Sequence, residues 1–325
     1  MRRLFDNILG PGMQRGWRAL LTRDPANYGF AKRGFYLGNA AVQQRLERVS
    51  ESFLAGYNLG LQTNGGAETA RALRDFDKEL SGFAFEGAAM SLAILDHVTP
   101  WNTRLGEFLE AASQHMYMAH VGIGCAVARL PWLRRNAERV AAGFDPLMRW
   151  LVIDGYGFHQ AFFYPGRFVG GAAIDARLSP AAQNVFDQGV GRSLWFSQCG
   201  DLARLVEAIR VFDPRRHADL WTGIGVACGM AGIVSRATLE SMVRAAGSHV
   251  PNLALGAVNA VRSRARAGNP APHTDLTCEK FCGMPPAEAL SLADSTLAGM
   301  VGSDYRARQF QVTEAFRHAN ERLIR

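Results

Sequence analysis

Glycine recurs at a nearly constant spacing through most of this chain. Successive members of the set lie 31 to 35 residues apart: Gly56, Gly87, Gly122, Gly155, Gly189, Gly223 and Gly256. A period near 34 residues is typical of helix-turn-helix units, like those of tetratricopeptide repeats, which bury a continuous core only by stacking on their neighbours. The period predicts an all-α fold, and more finely a right-handed α-solenoid of about seven helical pairs.

Signals for helix starts recur in phase with these glycines. Four residues that can cap a helix N-terminus stand ten residues before a repeat glycine: Asp77, Asp145, Ser179 and Asp213. Proline follows three of the four directly, and it suits the first helical position because the amide it lacks had no partner there. Each repeat glycine therefore falls in the middle of the first helix of its unit.

Glycine in a helix interior costs about 1 kcal/mol relative to alanine, so seven of them require an offsetting gain. A small residue follows six of the seven glycines four positions later, on the same helix face. We expect the second helix of each unit to approach this flat stripe closely. His159 is the exception, because it takes the place of the small residue after Gly155.

The segment GIGVACG, residues 223–229, resembles a dinucleotide-binding loop. Such a loop must follow a strand and open a helix, so that its free amides face the pyrophosphate. Here the segment lies inside a predicted helix whose amides are already bonded. Helix packing is the favoured interpretation, and we expect no cofactor.

The ends of the chain and one unit depart from the repeat. Residues 164–178 are rich in glycine and lack helical periodicity, which predicts a loop in place of a full second helix. The last segment, from residue 304, is amphipathic and predicts a terminal capping helix, with Phe310 off its apolar face. We divide the chain into a basic amphipathic segment at 1–40, a helical-repeat domain at 41–300 and a capping helix at 301–325.

The chain is basic, with a formal net charge of +7, and all but three of its 36 basic residues are arginine. This bias indicates a GC-rich genome better than a phosphate-binding surface, and we expect no nucleic-acid partner. Residues 1–34 carry seven basic side chains against two acidic ones. Packing onto the domain is favoured there, and peripheral contact with an anionic membrane is the alternative. With neither a signal peptide nor a membrane span evident, we expect a cytoplasmic protein.

The cysteines do not predict a disulfide framework. They are odd in number and scattered: Cys125, Cys199, Cys228, Cys278 and Cys282. Cys278 and Cys282 would share one helix face near His273, but a tetrahedral metal site needs a fourth ligand. Buried free thiols are the favoured interpretation, and we expect no metal.

Polar residues recur directly before the repeat glycines. Glu86, Asp154, Gln188 and Thr222 occupy this position in four of the seven units. Equivalent positions should step about 10 Å per unit if adjacent helices pack at ordinary distances. Glu86 and Asp154 would then be too far apart for a tight carboxylate pair, although they could line one groove. Solvation or pairing with arginine is an equally good interpretation.

His159 and Arg192 extend this strip of polar residues. A histidine with an ordinary pKa near 6.5 could transfer protons at neutral pH, and an arginine could hold an oxyanion or neutralise a carboxylate. A lone histidine is more often a core residue, but the position of His159 in a stripe of small residues raises its functional interest. We therefore take Glu86, Asp154, His159 and Arg192 as candidate catalytic residues.

Aromatic residues surround these four. The candidate substrate-binding residues are Tyr156, Phe158, Phe162, Gln188, Trp195 and Trp221. Aromatic residues at helical spacing usually belong to the core. If they face a cavity beside the irregular unit, they would suit a long apolar or polyunsaturated ligand.

Several segments resemble the UnbL family of enediyne biosynthesis proteins. They are RGF at 33–35, FAFEGAAM at 83–90, GYGFHQAFF at 155–163, DQGVGRSLWF at 187–196 and FCG at 281–283. The resemblance runs from about Arg33 to about Met300. It implies a bacterial gene-cluster protein, encoded beside an iterative polyketide synthase, a membrane protein called UnbU and a UnbV protein, which accompanies conversion of a linear polyene into the enediyne core. It supplies no catalytic residues.

Two functions follow as expectations. In the first, the protein binds a hydrophobic polyene polyketide intermediate and assists its conversion to the enediyne core. In the second, it is a non-catalytic solenoid scaffold that assembles membrane-bound UnbU and the UnbV partner. Solenoids more often bind proteins than catalyse reactions, and the sequence contains no complete catalytic motif, so whether the protein is an enzyme stays open.

Overall fold

The computed structural model describes residues 16, 18–24, 28–99, 102–232, 235–298, 300 and 305–319. Within these ranges all regular structure is helical and no strand occurs, which confirms the all-α prediction. The α-helices are α1 (Phe30–Arg33), α2 (Ala40–Gln62), α3 (Gly66–Ala72), α4 (Ser81–Val98), α5 (Arg104–Ala111), α6 (Met116–Arg129), α7 (Pro131–Arg134), α8 (Ala137–Ala141), α9 (Met148–Phe163), α10 (Pro180–Ser197), α11 (Leu202–Arg210), α12 (His217–Ala231), α13 (Arg236–Ala246), α14 (Val250–Ala267), α15 (Pro272–Cys282), α16 (Pro286–Ala298) and α17 (Tyr305–Ala319).

Seven of these helices contain one repeat glycine each: α2, α4, α6, α9, α10, α12 and α14. We call them the glycine helices. Each packs against the next glycine helix along the chain, while shorter helices such as α3, α5, α11 and α13 lie on the far side and contact one another. The fold therefore has an inner layer of glycine helices and an outer layer of shorter ones.

The glycines allow neighbouring glycine helices to touch through their backbones. A Cβ added at Gly122 would lie 2.0 Å from the carbonyl oxygen of Glu86, and one added at Gly155 would lie 2.0 Å from that of Val121. Our expectation that the second helix of each unit covers the glycine stripe is therefore wrong. From α4 onward the repeat glycine instead meets the preceding glycine helix, whereas Gly56 in α2 meets the following one, because successive glycine helices run parallel and in register.

A second glycine, two residues after the first, explains the GxG pattern. In α9, a Cβ at Gly155 would meet α6, whereas a Cβ at Gly157 would lie 2.1 Å from the carbonyl oxygen of Phe186 in α10. The GIGVACG segment repeats this arrangement, since Gly223 faces α10 and Gly225 faces α14. The pattern thus serves close packing on both sides of a helix.

The predicted caps lie where the chain enters the glycine helices. The Ser179 side chain accepts a hydrogen bond from the backbone amide of Ala182 and begins α10 directly. Asp213 accepts from the amide of Arg215, but it caps a 3-10 turn at Pro214–Arg216 that precedes α12. Proline therefore marks the entry to the helix, which begins up to one turn later.

The row of glycine helices curls until its two ends meet. Arg45, early in α2, donates from Nε to the carbonyl oxygen of Ala231 at the end of α12, over 2.9 Å. Arg264, near the end of α14, donates to the carbonyl oxygen of Glu79 just before α4, over 3.1 Å. Starts of early helices thus meet ends of late ones, so the row returns on itself with an offset along the helix axis. A regular right-handed solenoid stays a prediction.

We call the contact between the two ends of the row, where Arg45 meets Ala231 and Arg264 meets Glu79, the seam. Arg264 stabilises the seam from a buried position. Its side chain is 1% exposed and donates to three carbonyl oxygens, those of Met230, Asn269 and Glu79, at 2.7, 3.1 and 3.1 Å. Burial lowers the pKa of its guanidinium to about 10. The ends of the row are therefore joined by buried hydrogen bonds as well as by apolar packing.

The irregular unit contains a π-helical turn at Gly166–Gly170 and then non-helical chain up to Ser179. Tyr156 donates its hydroxyl hydrogen to Asp175, which also binds Arg177. These contacts hold the non-helical chain against α9.

The described parts of both termini pack onto the domain. Arg18 donates to the carbonyl oxygen of Thr63 over 2.8 Å, at the end of α2. Helix α17 packs on α14 with Val312 and Phe316 buried, and Phe310 is exposed. Residues 1–15 and 320–325 lie outside the described residues, so the predicted membrane contact of the first 34 residues falls largely outside them. None of the described helices is long and apolar enough to cross a membrane.

All five cysteines are free and buried. The sulfur atoms of Cys278 and Cys282 lie 3.6 Å apart on α15. His273 is directed toward Arg264 and Glu79, away from a thiol pair. Within the ranges that the structure describes, no group of three histidine, cysteine, aspartate or glutamate side chains is placed to hold a metal ion.

Candidate functional site

A cavity of about 350 Å³ lies inside the curled row, and its wall includes residues from all seven glycine helices. No residue of the outer helices α3, α5, α7, α8, α11, α13 or α15 contributes to this wall, but α16 and α17 cover part of it. Most of the lining is apolar and includes Phe83, Met90, Phe158, Phe162 and Phe196. The inner faces of the glycine helices thus line one mostly apolar space.

An ionic cluster lies in this wall, formed by Glu86, Asp154 and Arg192 from α4, α9 and α10. Arg192 donates from Nη1 to Oδ1 of Asp154, and its Nη2 lies 3.7 Å from Oε1 of Glu86. All three residues are at most 9% exposed. The two carboxylates line one cavity, and the guanidinium group of Arg192 bridges them rather than leaving them as a direct carboxylate pair.

Burial sets the protonation of this cluster. It raises the pKa of Glu86 to about 7, with Asp154 adding to the rise and Arg192 opposing it. Burial also raises the pKa of Asp154, against the attraction of Arg192. A carboxyl group with a pKa near neutrality can both release and accept a proton under ordinary conditions, so Glu86 is suited to acid–base chemistry.

Cys125 and Phe158 complete the surroundings of Arg192. The guanidinium carbon of Arg192 lies 4.8 Å from the centre of the Phe158 ring, in a cation–π contact. Burial raises the pKa of the Cys125 thiol well above its usual value. The thiol is therefore protonated at neutral pH and is not an activated nucleophile.

His159 lines the same cavity but does not belong to the cluster. Its ring stacks on Phe163 with centroids 4.3 Å apart, and its Nδ1 has no hydrogen-bond partner among the described residues. Burial first, and then Arg129 and other nearby arginines, lower the pKa of His159 to about 3. Our expectation that it transfers protons at neutral pH is thus corrected: the ring is neutral there, and it makes no ion pair with Asp154.

The candidate substrate-binding residues divide into two sets. Phe158, Phe162 and Gln188 line the cavity, and the buried amide nitrogen of Gln188 has no hydrogen-bond partner within the described ranges. The other three are buried outside the cavity wall: Tyr156, Trp195 and Trp221. They occupy helix faces that pack on other elements, as the bond from Tyr156 to Asp175 illustrates.

The residues that line the cavity stand at fixed positions relative to the repeat glycine of their helix. Numbered from the repeat glycine, positions −1, +3 and +7 of α9 are Asp154, Phe158 and Phe162, and all three line the cavity. The same positions in α10 are Gln188, Arg192 and Phe196. Spacing by four residues keeps side chains on one helix face. The rule would have found Met90, Cys125 and Arg129, which our sequence analysis missed as lining residues.

Fold and site define an all-helical protein with an internal, mostly apolar cavity and a buried ionic cluster. The chain belongs to the DUF1702 family, described as a protein of unknown function, and the family model matches residues 13–319. This match includes every glycine helix and the whole ionic cluster. No curated protein and no solved structure matches the chain.

Proposed function

We propose that this protein binds a hydrophobic polyketide intermediate in its cavity and assists the conversion of that intermediate during natural-product biosynthesis. The observation that carries the proposal is the apolar cavity of about 350 Å³ with the buried carboxyl group of Glu86 in its wall, whose pKa burial raises to about 7. Cavities of roughly 300 to 1,000 Å³, lined by apolar residues with a few convergent polar groups, are typical of small-molecule sites.

The aromatic part of the wall supports a flat, conjugated ligand. The Phe158 ring lies 5.3 Å from that of Phe162 and 5.8 Å from that of Phe196, between ring centres. Such rings offer faces and edges to an unsaturated chain, and contacts of this kind add to simple apolar burial. A linear polyene is the intermediate that fits this wall.

The ionic cluster supports acid–base assistance. Glu86 is the group suited to give a proton to the bound chain or take one from it. Asp154 accepts a hydrogen bond from Arg192, and the guanidinium group of Arg192 also lies 3.7 Å from the carboxyl group of Glu86 and attracts its ionised form. Gln188 adds a buried amide that can donate a hydrogen bond to an uncharged oxygen of the ligand.

The resemblance to the UnbL family is the basis for proposing an enediyne pathway. The segments that carry this resemblance contain Glu86, His159 and Arg192, and Asp154 directly precedes one of them. Segments separated along the chain thus contribute side chains to one cavity, which supports a role for these segments in ligand binding. We therefore propose conversion of a polyene toward the enediyne core as the setting of this activity.

A producing strain that carries Glu86→Gln tests this proposal. The substitution keeps the shape of the side chain and removes the exchangeable proton, so we expect the polyketide product to fall at least tenfold while polyene precursors accumulate. Glu207→Gln is the matched control, because Glu207 is exposed on the outer helix α11. Normal product yield from a folded Glu86→Gln protein would refute acid–base assistance by this residue.

We keep a non-catalytic scaffold as the second candidate, in which the repeated units form a right-handed solenoid that assembles UnbU and UnbV. The recurrence of similar helical units supports it, because repeat proteins commonly bind other proteins. Co-purification of the three proteins separates the two candidates. A complex that survives Glu86→Gln and Arg192→Gln, together with normal product yield from both variants, would favour the scaffold.

A further inference from the structure

One end of the cavity is lined with arginine. Where α2, α6 and α9 finish, Arg23 and Arg129 belong to the cavity wall. Arg33 and Arg134 lie close enough to His159 to lower its pKa. We call these four residues the arginine rim. Among the residues that the structure describes, none of the four forms an ion pair with a carboxylate.

The rim is partly built into the fold. Arg33 donates to the carbonyl oxygen of Phe162 over 3.0 Å, and its guanidinium carbon lies 4.2 Å from the centre of the Phe163 ring. Phe163 itself stacks on His159. Arg129, by contrast, is exposed at the last position of α6. One arginine is therefore held in place, and another is free to move toward a bound group.

Deeper in the cavity, at the ionic cluster, negative charge is in excess. Arg192 already bridges two carboxyl groups, so no positive charge remains there to receive an anion. An anionic group placed at that depth would meet the repulsion of Asp154 and of ionised Glu86. Two further arginines of the wall are already engaged, Arg262 with Asp294 and Arg308 with the carbonyl oxygen of Met300. The rim and the ionic cluster thus distinguish the two ends of an elongated ligand.

We propose that the ligand is an amphipathic anion, whose head group binds Arg23 and Arg129 at the rim while its apolar chain extends inward to Glu86 and Gln188. The proposal rests on the proposed function, because it names the chemical class bound by the same cavity. The shared chemistry of the head group is a negative charge that accepts hydrogen bonds from guanidinium groups, which a carboxylate or a phosphate monoester supplies.

Fluorescent conjugated tetraene chains of equal length, ending in an alcohol, a carboxylate or a phosphate monoester, provide the test. In low salt we expect the wild-type protein to bind the better of the two anionic probes about tenfold more tightly than the alcohol, a difference that added salt reduces. The better of the two anions identifies the head group. In the double variant Arg23→Gln/Arg129→Gln, the affinity for that anion should fall to that for the alcohol, and affinity for the alcohol should stay unchanged.

Arg210→Gln is the matched control, since Arg210 is exposed on α11 and pairs with Glu207. Equal binding of all three probes by the wild-type protein would overturn the inference and leave the proposed ligand-binding function standing. An equal loss of affinity for every probe in the double variant would also overturn it, because the arginines would then serve only the helix ends. Binding of none of the probes would refute the proposed function as well.

Discussion

Substitution of Glu86 by glutamine should change how the stability of the protein depends on pH. Burial raises the pKa of Glu86 from 4.5 to about 7. Below pH 4.5 the carboxyl group is protonated in both folded and unfolded chains, and its contribution to stability is fully present there. Between these two values the unfolded chain loses the proton more readily than the folded chain, so the contribution is lost as pH rises through the folded pKa.

The magnitude follows from the size of this interval. One pKa unit corresponds to about 1.4 kcal/mol, so the rise to about 7 makes the wild-type protein lose about 3 kcal/mol relative to Glu86→Gln as the pH increases from 4 to 8. Asp154 is present in both proteins, so its own titration largely cancels in the difference. The glutamine variant should therefore gain about 3 kcal/mol of stability relative to the wild-type protein between pH 4 and 8, whatever the difference between the two at pH 4.

Urea denaturation of the two proteins at half-unit intervals of pH measures this difference directly. Glu207→Gln serves again as the control and should reproduce the wild-type pH dependence, because its side chain is exposed. A wild-type minus Glu86→Gln difference that stays flat from pH 4 to 8 would refute the reasoning. It would mean that Arg192 compensates fully for the burial of Glu86.

Three further predictions concern the packing, the seam and the buried histidine. Gly122→Ala should destabilise the protein by about 3 kcal/mol in urea denaturation, because the new Cβ would lie 2.0 Å from a backbone atom of the neighbouring helix. Gly106→Ala is the control, because a Cβ there would have nothing within 4 Å, and it should change stability by less than about 1 kcal/mol. Arg264→Met should destabilise the protein by about 3 kcal/mol or more, because it leaves three buried carbonyl groups without a hydrogen bond. Thermal unfolding measures this loss, with Arg266→Gln at an exposed position as the control. Equal losses of stability in the two variants would contradict the prediction. The wild-type protein should lose stability relative to His159→Ala as pH falls from 6.5 to 4, because His159 takes up a proton in the unfolded chain but not in the folded one, where its pKa is about 3. Urea denaturation at several pH values measures this. A wild-type protein that instead gains stability relative to the variant toward low pH would indicate that His159 pairs with a carboxylate.

The glycine period predicted the order of the inner helices but not which helices touch. A glycine at a regular position in a helix indicates that another backbone comes close, as at Gly155. It does not indicate which helix that backbone belongs to. The second glycine, as at Gly157, was the missing clue, because two glycines on different faces require a neighbour on each side. A helix with a neighbour of its own kind on both sides belongs to a row.

The site was predictable in composition and not in geometry. The positions of Glu86, Asp154 and Arg192 in the repeat placed them on one surface, whereas their convergence on one guanidinium depends on curvature. The bonds that join the two ends of the curved row connect residues up to 191 positions apart, so no local pattern in the sequence reveals the curvature. The low pKa of His159 likewise depends partly on Arg33, which lies far from it in sequence.

The seam has a consequence for how this protein is made and how its gene can change. Hydrogen bonds between Arg264 and Glu79, and between Arg45 and Ala231, form only after the ribosome has released the late helices. The first helices must therefore wait through most of translation with their inner surfaces uncovered, so we expect chaperone capture of the nascent chain and slow folding, as long-range contacts require. An open row tolerates the gain or loss of a unit, but a row whose ends meet does not, because one unit more or fewer moves Arg264 away from its carbonyl partners. Selection on this gene should therefore preserve the number of units more strictly than the residues within any one of them.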